Sequence, residues 1–314
     1  MERTLILYES RYGLTERISK GLSLILGPAK YCRPLEFNGS FNNFGTIVIC
    51  TPVYLESVDE NIYKYVLKNA DLIKQKKVIL ICSCLAEDMA GKYLKPLKDI
   101  LGQSVILETS LGGELIPDKL NSQDYELIKK FSAAAGFPLK DRKSFEMKKL
   151  VKLALDIRRL KDKELKLVPE EELKTYISNF IKKHNSCALA TGYDDAVRNT
   201  PMEYMYIDDC IYIFSEGGEK FSNLLLNPKV SITIYDAYRG MNKLGGIQIS
   251  GVSEIIDTGC DEYIYAFKQR GLNIEKIVSL PVALNLIKIN ISKVEFLWSG
   301  FVELGYDIKQ VLYV

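Results

Sequence analysis

Apolar residues in the first half of the chain fall in short runs separated by stretches of helical period. Residues 3–8, 30–36, 46–50, 77–82 and 104–109 are predicted strands, rich in β-branched and aliphatic side chains. Between them the spacing predicts helices over 14–26, 58–69 and 90–101, with another beyond 121. Strands and helices that alternate through connections this short imply a parallel sheet covered on both faces. Ligands of such sheets bind beyond the carboxyl ends of the strands.

The pattern changes near residue 165. Residues 140–166 carry eleven Lys or Arg against five Asp or Glu, and their core, Phe145 to Leu160, places Leu150, Leu153, Ile157 and Leu160 at helical spacing. This segment reads as a closing helix with a solvated basic face; a helix that docks on a membrane surface or a partner is the other reading. Val168-Pro169-Glu170-Glu171-Glu172 then opens a new helix, with proline and acids in its first turn. Beyond it, strands are predicted over 186–191, 203–207, 210–215, 229–235, 245–257 and 286–298, with helices near 218–226 and 261–269. Asp208-Asp209 separates two alternating runs as the tip of a two-residue hairpin does. Mostly antiparallel strands with two small helices suggest a closed or split β-barrel. At 314 residues the chain is long for one core, so two domains are expected, 1–165 and 166–314.

Composition narrows the chemistry. A formal net charge of +2 argues against a broad nucleic-acid surface. The N-terminus enters a strand at once and no apolar run approaches the length of a bilayer span, so a cytoplasmic protein is expected. Of the seven cysteines, Cys32, Cys50, Cys82, Cys187 and Cys210 sit in apolar, strand-like contexts that suit buried free thiols. Cys82-Ser83-Cys84 is the one close pair, without a second pair to complete a zinc site, and no metal is expected. The single histidine, His184, ends a predicted helix, where a cation is favoured. Hydrolases of the histidine-base type are therefore poor candidates, and an enzyme here would take its chemistry from a cofactor.

The first loop suggests which cofactor. Thr4–Tyr8 feeds Glu9-Ser10-Arg11-Tyr12-Gly13-Leu14-Thr15, and a helix follows. Ser10 and Thr15 can donate hydroxyls, Gly13 lets backbone approach an anion, and first-turn N–H groups point at it; Arg11 adds charge there or faces solvent. The loop lacks the spacing of triphosphate and dinucleotide fingerprints. A monophosphate, as in FMN, is the better match. The stretch Leu7–Thr15, with Ser19 one turn on, resembles the flavodoxin phosphate signature, and its Ser-Arg-x-Gly-x-Thr form is similar to that of the flavodoxin-like protoporphyrinogen oxidases. The resemblance continues through Ile47–Tyr54 and Val78–Ser83 and fades after Gly112–Leu115. It implies that the loops Thr51–Ser57 and Ser83–Gly91 flank a flavin ring. Pro52, Val53, Tyr54, Ser83 and Cys84 are then cofactor-binding, with Tyr54 the candidate for ring contact or an ordinary packed tyrosine. A redox thiol at Cys84 is a further expectation.

The second half resembles the FMN-binding split barrel of the pyridoxamine-phosphate oxidase type. The residues concerned are Cys187–Gly192, Arg198-Asn199-Thr200-Pro201-Met202, Tyr212–Ser215, Lys220–Ser231 and Val294–Trp298. It implies that Lys220 meets a flavin phosphate, that Ser215 contacts phosphate or ribityl oxygens, that Arg198, Thr200 and Pro201 border the ring, and that Trp298 lies in the site or in the core. A lysine suits a dianion as a point-charge partner. Two departures argue against pyridoxamine phosphate as substrate. Glu219 stands where a second cation is common, and Gly245-Gly246 replaces a usual Arg-Gln pair. A barrel that only dimerises is the alternative.

Together these resemblances imply an α/β plus β-barrel protein: a flavodoxin-like doubly wound parallel sheet followed by a split barrel. They imply an FMN-dependent oxidoreductase or electron-transfer flavoprotein, reducing a small acceptor or quinone, as a homodimer through the barrel. Membrane contact is not expected. No side-chain acid or base for catalysis is evident. A non-catalytic electron carrier or sensor, and a tetrapyrrole-handling oxidoreductase, are the alternatives.

Overall fold

Both faces of the first sheet are covered, which is why its strands read as continuous apolar runs. The computed structural model describes residues 2–134, 136, 138–273 and 281–314, and the chain divides into two compact units, Met1–Glu164 and Leu165–Val314. In the first unit β1 (Thr4–Tyr8), β2 (Ala29–Cys32), β3 (Thr46–Tyr54), the two-residue β4 (Ser57–Val58), β5 (Lys77–Ser83) and β6 (Val105–Ser110) form one sheet of order β2-β1-β3-β5-β6. The five ordered strands are parallel; β4 runs antiparallel along the end of β3. Helices α1 (Leu14–Ile25), α2 (Glu60–Lys68), α3 (Ala70–Ile73), α4 (Ala90–Leu101), α5 (Ser122–Ala134) and α6 (Met147–Asp162) complete the unit, with a small β7 (Glu114–Leu115) and β8 (Arg142–Lys143) pair.

Strand side chains alternate between two cores. Leu5, Leu7, Ile47, Ile49, Leu80 and Cys82 meet Val66, Leu94 and Leu97 on one face. Ile6, Val48, Cys50, Ile79 and Ile81 meet Leu22, Leu150 and Ile157 on the other. Each fully buried aliphatic contributes about 1.5–3 kcal/mol of transfer free energy. The basic segment therefore closes the unit: α6 buries Leu150, Ala154 and Ile157, and Leu150 packs on Gly21 of α1. Leu160 departs from the expected stripe and is largely exposed.

In the second unit α7 (Glu170–Lys183) precedes β9 (Ser186–Tyr193), β10 (Ala196–Glu203), β11 (Met205–Ile207) and β12 (Cys210–Ser215). Then come α8 (Lys220–Leu226), β13 (Lys229–Tyr235), β14 (Gly245–Ile256), α9 (Asp261–Gln269), β15 (Asn285–Trp298), α10 (Gly300–Glu303) and β16 (Lys309–Tyr313). The sheet is antiparallel, of order β10-β9-β13-β14-β15-β12-β11, with β16 also on β15. It curls as a split half-barrel, and the β14–β15 register shifts between Ser250 and Gly251, a bulge of the kind that bends such ribbons. Leu189, Ile211, Ile232, Ile247, Ile249 and Ile289 point inward against Leu173, Ile177 and Phe180 of α7.

The structure revises several element boundaries. Residues 51–54 continue β3 instead of forming a loop, because β4 pairs back on Val53 and Tyr54 through a tip at Leu55-Glu56 with φ of 50° and 60°. Pro34 ends β2 early and starts a 3-10 turn. β10 and β16 were absent from the sequence pattern. β10 is polar, exposed along most of its length and contains Pro201, which an edge strand tolerates. The Asp208-Asp209 tip is as expected, with both residues at positive φ (49° and 59°). Among the described residues no helix is long and apolar enough to cross a membrane.

Candidate functional site

The order β2-β1-β3-β5-β6 reverses direction between β1 and β3, and the loop after β1 lies at that crevice. Gly13 takes φ of 88° just before α1. A Cβ at this position would touch nothing within 4 Å, so glycine is required by the left-handed backbone rather than by crowding. The Ser10 hydroxyl accepts from Gly13 N at 3.0 Å, which folds the loop over the start of the helix. Among the described residues no side chain caps α1, so the N–H groups of its first turn are left for another partner. Thr15 is buried and its hydroxyl lies 2.8 Å from that of Ser83 at the end of β5; Ser19 donates to Thr15 O at 2.8 Å. Beneath the loop, Glu9 pairs with Arg33 at 2.8 Å, and Arg33 also donates to Ser10 O. Burial pushes the Glu9 carboxyl upward while Arg33 pulls it the other way.

Two distant segments, the end of β3 and the start of α5, meet beside this loop. The Arg11 guanidinium sits 4.7 Å from the Tyr54 ring centroid, and Tyr12 meets Tyr54 edge-to-face at 6.2 Å. Asp124, in the first turn of α5, accepts from Arg11 at 2.8 Å and also from the Tyr12 hydroxyl. Asn121 donates to Tyr12 Oη at 3.1 Å, and its own side-chain oxygen accepts from Asp124 N at 2.8 Å. The Tyr12 hydrogen bond, then that of Arg11, holds the Asp124 carboxyl below the usual carboxylate range. The structure thus brings together Ser10, Arg11, Tyr12, Gly13, Thr15, Tyr54 and Ser83. Leu14 is buried on the sheet side of α1, Pro52 is buried in β3, and Val53 pairs with β4.

Cys84 lies just past β5. Its sulfur is 3.8 Å from that of Cys82 and 3.4 Å from Ser110 Oγ. Hydrogen bonding from Cys82 lowers the Cys84 thiol to about 7, and the same contact with burial raises Cys82. Cys32, Cys50 and Cys187 are buried as expected, whereas Cys210 is half-buried. Among the described residues no group of three or more His, Cys, Asp or Glu could hold a metal ion.

The second unit assembles a polar cluster of its own. Lys220, at the start of α8, is buried to 6% exposure and donates to Gly217 O; Ser215 Oγ donates to the same carbonyl at 3.2 Å. Burial, then the nearby Arg198, lowers the Lys220 amine. Among the described residues no carboxylate pairs with Lys220. Glu219 turns instead to Arg198, so its charge is spent on that cation. Thr200, two positions along β10 and on the same face as Arg198, has a buried hydroxyl without a hydrogen-bond partner among the described residues. Asn223 donates to Thr191 at 3.2 Å. Pro201 faces the other way. Trp298 sits at one end of β15, stacked on Phe296 and packed against Tyr176 and the edge-to-face Phe301, while Ser215 pairs with Asn285 at the opposite end. Within one chain the two are not brought together.

Two sequence features now have structural explanations. A Cβ at Gly245 would lie 2.5 Å from Asp236 Oδ2 and 3.3 Å from the Phe180 ring, so a side chain there would displace the Asp236 carboxylate that His184 contacts. Both ring nitrogens of His184 are engaged, Nδ1 with Phe180 O at 2.8 Å and Nε2 with Asp236 at 3.1 Å, so the histidine holds the end of α7. Asp124 and Asn121 escaped the sequence reading, because nothing local ties them to a loop far away in the chain, while Thr191 and Asn223 lay within the quoted barrel segments without an assigned role.

Residues 5–138 match the family model of the flavodoxin domain, and residues 173–298 match that of pyridoxamine 5'-phosphate oxidase. The chain joins a flavodoxin-like domain to an oxidase-type split barrel. Both families bind flavins. Solved structures similar to this chain include an FAD-binding protein of Mesorhizobium loti, 20% identical over 37% of this chain and 88% of its own, at a TM-score of 0.31. A second is HutZ, the heme storage protein of Vibrio cholerae, 16% identical over 38% and 90%, at 0.33. A third is a putative pyridoxamine 5'-phosphate oxidase of Listeria innocua, 19% identical over 40% and 98%, also at 0.33. No curated protein matches. In the flavodoxin-like domain the Ser10–Thr15 loop occupies the β1–α1 turn; in the oxidase-type domain Lys220 opens the helix after β12.

Proposed function

We propose that this protein is an FMN-dependent oxidoreductase that passes electrons to a small acceptor or quinone, with a flavin site on each domain. One observation carries the reading: Ser10, Gly13 and Thr15 from the β1–α1 turn converge with Tyr54 and Ser83 at the carboxyl edge of a doubly wound sheet. The residues fit the cofactor. The uncapped start of α1 and the Ser10 hydroxyl suit a monophosphate, and Tyr54 offers a half-buried ring beside it. In the split barrel, an amine without an acidic partner and an orphaned Thr200 hydroxyl suit an anion. Bound flavin supplies the hydride and electron chemistry. The chain's part is to anchor phosphate, order the ring and hold the protein dipoles around it. Dimerisation through the barrel and a cytoplasmic location belong to the same proposal.

Flavin released from purified protein and counted per chain tests it. Two FMN are expected, with Lys220→Ala removing one and Gly13→Asp removing the other. Rapid turnover with a reductant and a quinone is expected as well; loading without turnover would make the protein an electron carrier. No flavin bound after excess FMN would overturn the proposal.

A further inference from the structure

Arg11 is the one cation within the Ser10–Thr15 loop, and its charge is engaged by side chains from outside the loop. Its guanidinium lies over the Tyr54 ring at 4.7 Å and donates to Asp124 at 2.8 Å. Asp124 is itself fixed from two sides: Tyr12 donates to its carboxylate, and Asn121 accepts from its backbone N–H at 2.8 Å. The aspartate comes from α5, more than a hundred residues along the chain, so this contact is tertiary and not a property of the loop. Resting on the flavin reading above, we propose that Asp124 is a specificity-determining residue of the first domain. By holding Arg11 on Tyr54, it withholds the loop's arginine from a ligand phosphate and lowers the preference for a phosphorylated over an unphosphorylated ring ligand.

The electrostatics give the sign. An arginine shared with a carboxylate is a poorer phosphate partner than a free one, because the carboxylate both neutralises its charge and occupies its donors. Asp124→Asn keeps the shape and one acceptor oxygen while removing the charge. Arg11 is then free to turn to the phosphate. Arg11 and Asp124 are partly exposed, so the gain is modest and screened by salt.

The experiment measures FMN and riboflavin dissociation constants for the whole protein, since the two ligands differ by the phosphate. A Lys220→Ala background confines the reading to the first domain. Asp124→Asn is expected to tighten FMN about fivefold, leave riboflavin unchanged, and lose the effect at high salt. In an Arg11→Gln background the same substitution is expected to leave the ratio unchanged, and a shift that persists without Arg11 overturns the proposal. Equal weakening of both flavins, or an unchanged ratio, overturns the proposal while the cofactor reading stands. A protein that binds neither flavin before any substitution overturns both.

Discussion

Gly13 shows how a single backbone angle can support a site. Its φ of 88° costs an L-residue about 1–2 kcal/mol, and open space around it offers no compensating clash to relieve. Gly13→Ala is therefore expected to destabilise the first domain by roughly that amount and to weaken FMN, read as a lower urea midpoint and a higher dissociation constant. Lys220 presents the opposite trade. Its amine is buried, and Arg198 is nearby, so the native pKa lies below the ordinary 10.5. Below both values the folded and unfolded chains are equally protonated, and the fold bears the whole cost of burying the charge. As pH rises past the native value the folded chain holds fewer protons than the unfolded one, so stability climbs until about 10.5. Lys220→Met is expected to flatten this rise and to raise the Tm of the second unit near neutrality, while losing one flavin. Thermal melts across pH check both.

At the scale of elements, caps and edges decide where pieces end. Asp59 accepts from Asn61 N at 2.9 Å and from Ile62 N, so α2 begins at Glu60 and not at the predicted residue 58. Asp59→Ala is expected to cost about 1 kcal/mol, measurable by denaturant titration. Helix onset was legible in the sequence because capping chemistry is local. The antiparallel extension of β3 was not, since it depends on Ser57 and Val58 folding back across Leu55-Glu56. β10 is a further case. Arg198, Asn199 and Thr200 carry no alternating apolar signal, and what makes them a strand is the ladder offered by β9, from Ala196↔Tyr193 to Glu203↔Ser186. The basic 140–166 segment was legible as a helix; its docking through Leu150 on Gly21 depends on α1 being there to receive it.

Over the whole molecule, each unit encloses its own apolar cores, with those of the first drawn from residues below 164 and those of the second from residues above it. Truncating a fully buried residue should therefore act mainly on its own unit. Ile49→Ala is expected to lower the transition of the first by about 2–5 kcal/mol and Ile232→Ala that of the second by a similar amount. Calorimetry in which either variant shifts all transitions equally would show that the two units unfold as one. The same separation makes flavin stoichiometry informative, since a substitution at one site has no core in common with the other.

Residue order alone determined the two architectures, the strand–loop–helix that frames Ser10 and Gly13, and the Lys220 helix. Each of these rests on periodicity, turn chemistry or a contiguous motif, and such signals act over a few residues. Tertiary structure decided the rest. It set Thr15 against Ser83, brought Asp124 to Arg11, turned Glu219 onto Arg198 and kept Trp298 at the far end of its strand from Ser215. Hydrogen bonds and ion pairs act over a few ångströms whatever the distance along the chain, so these contacts exist only once sheet order has placed the carboxyl ends of distant strands side by side.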